Sequence, residues 1–398
     1  MTYSYFLKRL KDVSLSDLFA FFPMMVAILL YPFLRNKYKD FWLIADRAMD
    51  ARDNGFHFFR YMKREHPEQK CVFALKRKSI DYQKIASLGE TVEFGSVMHW
   101  IAYFSSRYVI FSARSKPNSA WCHLLELMGF LHPDNVDLQH GITINDVRGM
   151  YADRMRCALL VTSTVDERDF IERNFGHPKG VVRLTGFPRF DALHDTPPIR
   201  NRIVIMPTWR MWFEFPSQQG GTLDDRFETS QYFLKWKELL ISSRLDSIIS
   251  QYNLEIIFYP HHAMQKYMSK FDDIRSNVKI ASLGDSDVQE LLKTASLLIT
   301  DYSSVFFDMV YMKRPIIFYQ FDEKDFREHH HGKGYFDYNN NLFGKSFHTI
   351  EGVLDEMEKI ICSNYIVNDD YLKEHKRIFK YWDCNNSKRI YEILKNVE

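Results

Sequence analysis

Two α/β halves, each a parallel sheet with covering helices and the pair facing a cleft, are predicted by three observations. Short apolar runs of strand length alternate with helix-like patterns from residue 41 to the C-terminus, as in βαβ units. A break at Thr196-Pro197-Pro198 separates one such series from a second. At 398 residues the chain is too long for one typical core and suits two domains.

The first element is an uncharged apolar run, Leu18 to Leu34, with Lys8, Arg9 and Lys11 before it and Arg35, Lys37 and Lys39 after it. It sits at the short end of what crosses a bilayer, and Pro23 and Pro32 interrupt it. Arg35-Asn36-Lys37 follows where a cleaved leader would carry small residues, so no cleavage is expected. A spanning helix carries its basic flank on the cytoplasmic side. Basic residues on both sides therefore point to a segment that lies on, or dips into, one leaflet, with the body on the inner face of the membrane. The other reading is a buried helix of the first domain.

Strand-like runs follow at Phe41–Ala45, Cys71–Leu75, Thr91–Phe94, Tyr108–Phe111, Val136–Gln139, Ala158–Thr162 and Val181–Leu184, with a candidate helix at Gly55–Arg64. After the break, strands are expected at Arg202–Met206, Leu254–Phe258, Val278–Ile280, Leu297–Ile299 and Pro315–Tyr319. A long helix is expected near Gln231–Tyr252, and helical patterns over Ile350–Ile361 and Tyr371–Asn396 close the chain. Met211–Ser230 reads as a polar, aromatic insertion long enough for a mobile loop. The expected division is an apolar membrane-associating segment over 1–38, one half over 39–196 and the other over 197–398.

Composition narrows the function. Lys+Arg at 53 against Asp+Glu at 51 leaves a charge of +2, without the basic excess of a nucleic-acid binder. Hydrophobic residues at 46% mark a folded protein rather than a disordered one. The five cysteines form no C-x-x-C pair and their number is odd, which suits a reducing compartment and gives no zinc framework.

Chemistry-bearing residues fall at the carboxyl ends of the expected strands, where open α/β sheets place ligands. Leu297-Leu298-Ile299-Thr300-Asp301-Tyr302-Ser303-Ser304 runs from a buried strand into small hydroxyls at the start of a helix. Such a start suits phosphate, and Asp301, Ser303 or Ser304 could equally cap the helix. Gln139-His140-Gly141 offers a group that titrates near neutral pH beside a residue that lets the backbone turn. In Gly186-Phe187-Pro188-Arg189-Phe190-Asp191 the Gly and Pro set a turn, and Arg189 could reach an anion or pair with Asp191. Thr208-Trp209-Arg210 sets a guanidinium next to a hydroxyl, which suits a phosphoryl group or a structural ion pair. Pro260-His261-His262 could contact phosphate; metal is disfavoured because neighbouring strand side chains point to opposite faces. Glu328-His329-His330-His331 could be a solvated turn.

Together these segments resemble the CDP-glycerol glycerophosphotransferase family, the teichoic-acid primases and polymerases and related capsule enzymes. The fullest match is Leu298 to Asp322, LITDYSSVFFDMVYMKRPIIFYQFD. His140-Gly141, Gly186-Phe187-Pro188-Arg189 with Asp191, Pro207-Thr208-Trp209-Arg210, Pro260-His261 and Gly334-Tyr335-Phe336-Asp337-Tyr338 follow the family's order, with Asp53-Asn54 a weaker match. The resemblance implies a GT-B-like fold with two Rossmann-like domains, acceptor-binding in the N-terminal half and donor-binding in the C-terminal half. It implies transfer of an alditol phosphate from CDP-glycerol, or a related CDP-alditol, to a hydroxyl of a lipid-linked or polymer acceptor, with release of CMP. No cofactor or metal is implied.

By the same resemblance His140 is the general base. His261 is the second catalytic residue, holding the donor pyrophosphate and stabilising charge in the transition state; Thr208, Arg210, Thr300, Asp301, Ser303 and Ser304 bind the donor phosphates, and Gly141, Gly186 and Pro188 shape the backbone at the site. Gln139 and Ile142-Thr143-Ile144-Asn145 depart from the family's Trp before the His-Gly pair and its Thr-Pro-Leu-Lys run after it. The alternative function is a GT-B glycosyltransferase using a nucleotide sugar.

Overall fold

A computed structural model describes residues 15–113, 116–129, 134–213, 223–271, 277–282, 287–329 and 332–396. Lys8, Arg9, Lys11, His330, His331 and most of the expected loop after Phe213 lie outside the described residues. The chain forms two compact units, neither contiguous in sequence. The first contains Met1–His140, Arg148–Ala192 and Asp383–Glu398; the second contains Gly141–Val147 and Leu193–Trp382.

In the first unit a seven-stranded sheet runs in the order β3-β2-β1-β4-β5-β6-β7. Its strands are β1 Trp42–Ala45, β2 Cys71–Leu75, β3 Thr91–Glu93, β4 Tyr108–Phe111, β5 Asp134–Asp137, β6 Leu159–Thr162 and β7 Val182–Leu184. Every pairing is parallel, and β1 lies inside the sheet, with its Trp42 beside Cys71 of β2 on one side and Tyr108 of β4 on the other. Every residue of β1, β2 and β6 is buried, which is why these strands read as unbroken apolar runs rather than alternating ones. The strand order reverses between β1 and β4, so the loops after those strands flank the switch point.

The Leu18–Leu34 run becomes one helix, Leu15–Leu34, that continues through Pro23 and Pro32. Met24 and Ala27 are buried against the helix Val97–Ser105, and Tyr31 meets Phe104 edge-on at 5.9 Å. Near the other end Trp121 Nε1 donates to the Asp17 carbonyl at 2.6 Å, and Asn118 Nδ2 donates to the Asp17 carboxylate at 2.7 Å. Phe19, Phe22, Leu29 and Phe33 on the outer face are 69–83% exposed. The helix is therefore a buried core element along one stripe only.

In the second unit the sheet order is β10-β9-β8-β11-β12-β13. Its strands are β8 Arg202–Met206, β9 Glu255–Phe258, β10 Lys279–Ile280, β11 Leu297–Thr300, β12 Ile316–Tyr319 and β13 Gly344–Phe347. All neighbours are parallel, with Leu297 beside Ile203 and Thr300 beside Met206 at the switch between β8 and β11. Trp236, Phe258, Tyr319 and Val353 belong to the core over one face of this sheet.

Several elements differ from the sequence expectation, each for a local reason. The Val136–Gln139 run is strand only to Asp137, because the Asp137 carboxylate accepts the Gln139 N–H at 2.7 Å and turns the chain out of the ladder. The long helix is two, Gln231–Leu240 and Ser243–Tyr252, with Ser242 capping the second through the Leu245 N–H. β13 is an edge strand whose Lys345 and Ser346 hide it from a hydropathy pattern.

The C-terminal pattern also divides, into Asp369–Ile378 and Asn386–Asn396, and the second helix belongs to the first unit rather than to a half running from 197 to 398. Asp191 draws it back by accepting from the Asn386 and Ser387 backbone N–H groups at 2.8 and 3.0 Å and from the Ser387 hydroxyl at 2.7 Å. Trp42 and His66 pack on its Tyr391. Gly186, at φ 80°, faces this helix, since a Cβ there would strike the Asn386 carboxamide.

Candidate active site

At the switch point of the first unit, the place where a phosphate could sit is filled by protein. Asp46 follows β1 and accepts from the Gly55 and Phe56 N–H groups at 2.7 and 3.1 Å, from the Asp53 N–H at 3.0 Å and from the Ser112 hydroxyl at 2.7 Å. The start of the helix Asn54–Glu65 is thereby satisfied by a side chain of the chain itself, and a Cβ on Gly55 would strike that carboxylate. Among the described residues, the first unit holds no vacant anion cradle at this position.

One strand over, the loop after β5 carries His140, which is exposed and framed by fixed groups. Its imidazole donates to the Ser112 carbonyl, and its own carbonyl accepts from Arg189 Nη1 at 3.0 Å. Asn54 clips the same loop: Nδ2 donates to the Gln139 carbonyl at 2.7 Å and the Leu138 carbonyl at 3.3 Å, and Oδ1 accepts the Arg189 N–H at 3.1 Å. Arg189 pairs with Asp53 at 3.3 Å and not with Asp191, whose oxygens serve the last helix. Pro188 opens the short turn Pro188–Ala192 that delivers Arg189 to this cluster.

These neighbours set the protonation of His140. Crowding by protein lowers its pKa below the ordinary histidine value, and Arg47 and Arg189 push the same way; Asp53 and the Ser112 carbonyl oppose them. The imidazole therefore favours its neutral form, with one nitrogen donating to Ser112 and the other able to accept a proton.

In the second unit, the loops after β8, β11 and β12 are locked by a buried ion cluster. Arg210 donates through Nε and Nη2 to both oxygens of Asp322 at 2.8 and 3.0 Å, and through Nη1 to the Thr208 carbonyl at 2.8 Å. Asp301 Oδ2 lies 2.8 Å from Nη2, a contact of charge rather than an aligned hydrogen bond. Its Oδ1 accepts the Thr208 and Tyr302 N–H groups, each at 2.7 Å. Burial alone would lower the Arg210 pKa, but Asp301 and Asp322 outweigh it and drive it upward. Tyr232, Tyr302 and Phe326 surround the guanidinium with ring centroids 5.0–5.2 Å away.

This geometry corrects part of the expected donor site. Arg210, Asp301 and Thr300 are 0% exposed, and the Thr300 hydroxyl donates to the Met206 carbonyl at 2.7 Å. None of the three presents a side chain to solvent; they brace the loops after β8, β11 and β12. Thr208 is 7% exposed, with its hydroxyl buried and without a hydrogen-bond partner in the structure. Gly186 turns the chain past the Asn386 carboxamide rather than past a ligand.

Ser303, Ser304 and His261 remain half-buried at the strand ends. The helix after the serines, Phe306–Tyr311, has six residues and its cap residue, Val305, makes no side-chain cap bond. It is too short to supply much dipole, so any anion recognition rests on the hydroxyls. Ser303 Oγ accepts the Val305 N–H at 3.3 Å. His261 Nδ1 accepts the Ala263 N–H at 3.3 Å, which places the ring proton on Nε2 as a donor, and the ring lies nearly parallel to Trp209 at 6.1 Å. Gly141, the residue after His140, stands where a Cβ would come 2.8 Å from Ser304 Oγ.

Sequence reasoning missed Asp46, Ser112 and Asp322 as site residues, and reached Asn54 only as a weak match. Their signals were modest: an Asp directly after an apolar strand, and an Asp-Asn pair opening a helix. Among the described residues no group of three or more His, Cys, Asp or Glu could hold a metal ion.

Comparison with known proteins supplies the family. Residues 26–396 match the family described as CDP-Glycerol:Poly(glycerophosphate) glycerophosphotransferase. Minor teichoic acid biosynthesis protein GgaB of Bacillus subtilis (strain 168) is 30% identical over 374 residues, covering 90% of this chain and 40% of that protein. A teichoic acid poly(glycerol phosphate) polymerase of the same organism is 22% identical, covering 83% of this chain and 48% of its own length. The chain thus spans less than half of these two relatives. The solved structure of the wall teichoic acid polymerase TagF shares the fold, with a TM-score of 0.63 at 17% identity over 96% of this chain and 98% of that one. A putative UDP-N-acetylglucosamine 2-epimerase from Listeria monocytogenes shares it more distantly, at a TM-score of 0.54 and 12% identity over 90% of this chain and 96% of that one. With two parallel-sheet α/β units and the matched residues spanning both, the chain belongs to the CDP-glycerol:poly(glycerophosphate) glycerophosphotransferase family.

Proposed function

We propose that the chain transfers glycerol phosphate, or another alditol phosphate, from a CDP-linked donor to a hydroxyl of a polymer or lipid-linked acceptor in teichoic-acid-like or capsule polymer synthesis. The acceptor oxygen bonds to the phosphorus that bears the alditol, the pyrophosphate P–O bond breaks, and CMP leaves. His140 takes the acceptor proton as general base, a role that typically contributes roughly 10²–10⁴-fold. Ser303, Ser304 and His261 Nε2–H hold the donor phosphates, while Arg210, Asp301 and Thr300 fix the loops that carry them.

The observation that carries this reading is an asymmetry between the two switch points. In the first unit Asp46, after β1, already accepts the N–H groups at the start of the adjoining helix; at the second switch point the loop after β11 leaves Ser303 and Ser304 only half-buried. That supports donor binding in the second unit and an acceptor role for the first, in keeping with relatives named as teichoic acid glycerol-phosphate and ribitol-phosphate enzymes.

The helix Leu15–Leu34 supports a place on the inner face of the cytoplasmic membrane. A helix of 20 residues is about 30 Å long. Because its inner stripe packs on the first unit from Asp17 to Tyr31, it lies along the leaflet rather than across it. The exposed Arg35, Lys37 and Lys39 suit anionic headgroups.

The deciding experiment offers the purified protein CDP-glycerol, CDP-ribitol, UDP-sugars and GDP-sugars with polyol-phosphate acceptors and measures the nucleotide released. CMP from a CDP-alditol, lost in His140→Ala, is the expected result. UDP or GDP release from a sugar donor, with no CMP, would assign the chain to nucleotide-sugar transfer instead.

A further inference from the structure

Gln139, immediately before His140, has φ 53°, a left-handed conformation that a side-chain-bearing residue rarely adopts. It is 3% exposed. Its carboxamide Nε2 donates to the Val161 carbonyl at 2.6 Å and to Glu167 Oε1 at 3.1 Å. Glu167 is itself 0% exposed and fixed, since its Oε2 accepts the Ser163 N–H at 2.8 Å and its own N–H is capped by Thr164 Oγ1 at 3.3 Å. The Gln139 backbone is also held at both ends: its N–H donates to Asp137 and its carbonyl accepts from Asn54.

A strained backbone persists only where its surroundings over-determine it. Here the strain sits one residue before the group that must face a reacting hydroxyl. We infer that Gln139, anchored by the buried Glu167 carboxylate and the Val161 carbonyl, is a positioning residue that aims His140. It touches no substrate; it acts by holding the left-handed turn that presents the imidazole. With χ angles fixed at both Gln139 and Glu167, His140 meets its proton without reorganising the loop, which is how orientation contributes to rate. The inference rests on His140 being the base of the proposed transfer.

The test is a double-mutant cycle with CMP release and CDP-glycerol affinity as readouts. Gln139→Asn tolerates the left-handed backbone but is one methylene too short to reach Val161 and Glu167; Gln139→Met keeps the length and loses the donors. Each should lower kcat at least tenfold with KM for CDP-glycerol changed less than twofold. In the His140→Ala background each should change the residual rate less than twofold. Equal losses in both backgrounds would show that Gln139 supports the fold rather than His140. Unchanged kcat in the single variants, or lost CDP-glycerol binding in both of them, would also overturn the inference. A His140→Ala variant with normal turnover would instead remove the base itself, a separate failure.

Discussion

Arg210 and Asp322 form a buried bidentate pair, with Nε 2.8 Å from Oδ2 and Nη2 3.0 Å from Oδ1. Asp301 completes a triad that ties together the loops after β8, β11 and β12. Removing the cation strands two carboxylates away from water. Arg210→Met is expected to cost about 3–5 kcal/mol of stability, read as a lowered denaturation midpoint, and Arg210→Lys to fail to restore it because a point charge cannot serve both carboxylates. A variant with wild-type stability and weakened donor binding would return Arg210 to the donor site.

Gly141 and Ser304 meet closely enough that their substitutions are coupled. A Cβ at 141 would come 2.8 Å from Ser304 Oγ yet 3.8 Å from Ser304 Cβ, an ordinary contact. Gly141→Ala should reduce kcat/KM by roughly tenfold, about 1.4 kcal/mol in the barrier. In a Ser304→Ala background the same change should add nothing. Additive losses in steady-state kinetics would argue against the close approach.

The pH profile of kcat/KM should report His140. Its pKa lies below the ordinary 6.5, so activity is retained down to that pH and falls in an acidic limb beneath it. Arg47 disfavours the imidazolium, so Arg47→Met should move the limb to higher pH; Asp53 favours it, so Asp53→Asn should move the limb lower. Shifts in the same direction for both variants would mean another group titrates.

Membrane attachment should follow the outer helix face. Phe22 and Phe33 are 70% and 83% exposed, so changing both to Ser should leave the melting temperature unaltered. Burying a Phe contributes about 1.5–3 kcal/mol, so the pair should weaken binding to phosphatidylglycerol vesicles by at least tenfold in a flotation assay. Salt should weaken the wild-type protein's binding further, through screening of Arg35, Lys37 and Lys39. Equal flotation of wild type and variant would sink this reading.

The strands were legible because a strand buried on both faces must be apolar throughout, and runs such as Cys71–Leu75 and Leu297–Ile299 have no polar face to offer water. Elements held by polar or edge positions were less so: β13 with Lys345 and Ser346, and the break at Ser242. Within the site, residue type located Ser303 and Ser304 after a strand, yet type could not distinguish Arg210 on a surface from Arg210 in a core. The two call for the same residue for opposite reasons, one to meet a ligand's charge and one to neutralise the protein's own.

By itself the sequence determined the α/β class, the two series of strands and the strand ends where reactive groups fall, since these follow from local periodicity and turn chemistry. Tertiary structure alone decided which groups face solvent and which are committed to each other. Asn54 reaches 85 residues along the chain to the Gln139 carbonyl, Arg210 reaches 112 to Asp322, and Asp191 reaches 195 to Asn386. Such pairings depend on sheet order, which no local pattern encodes. They leave the loop of His140 at the surface and make Arg210 a buried brace.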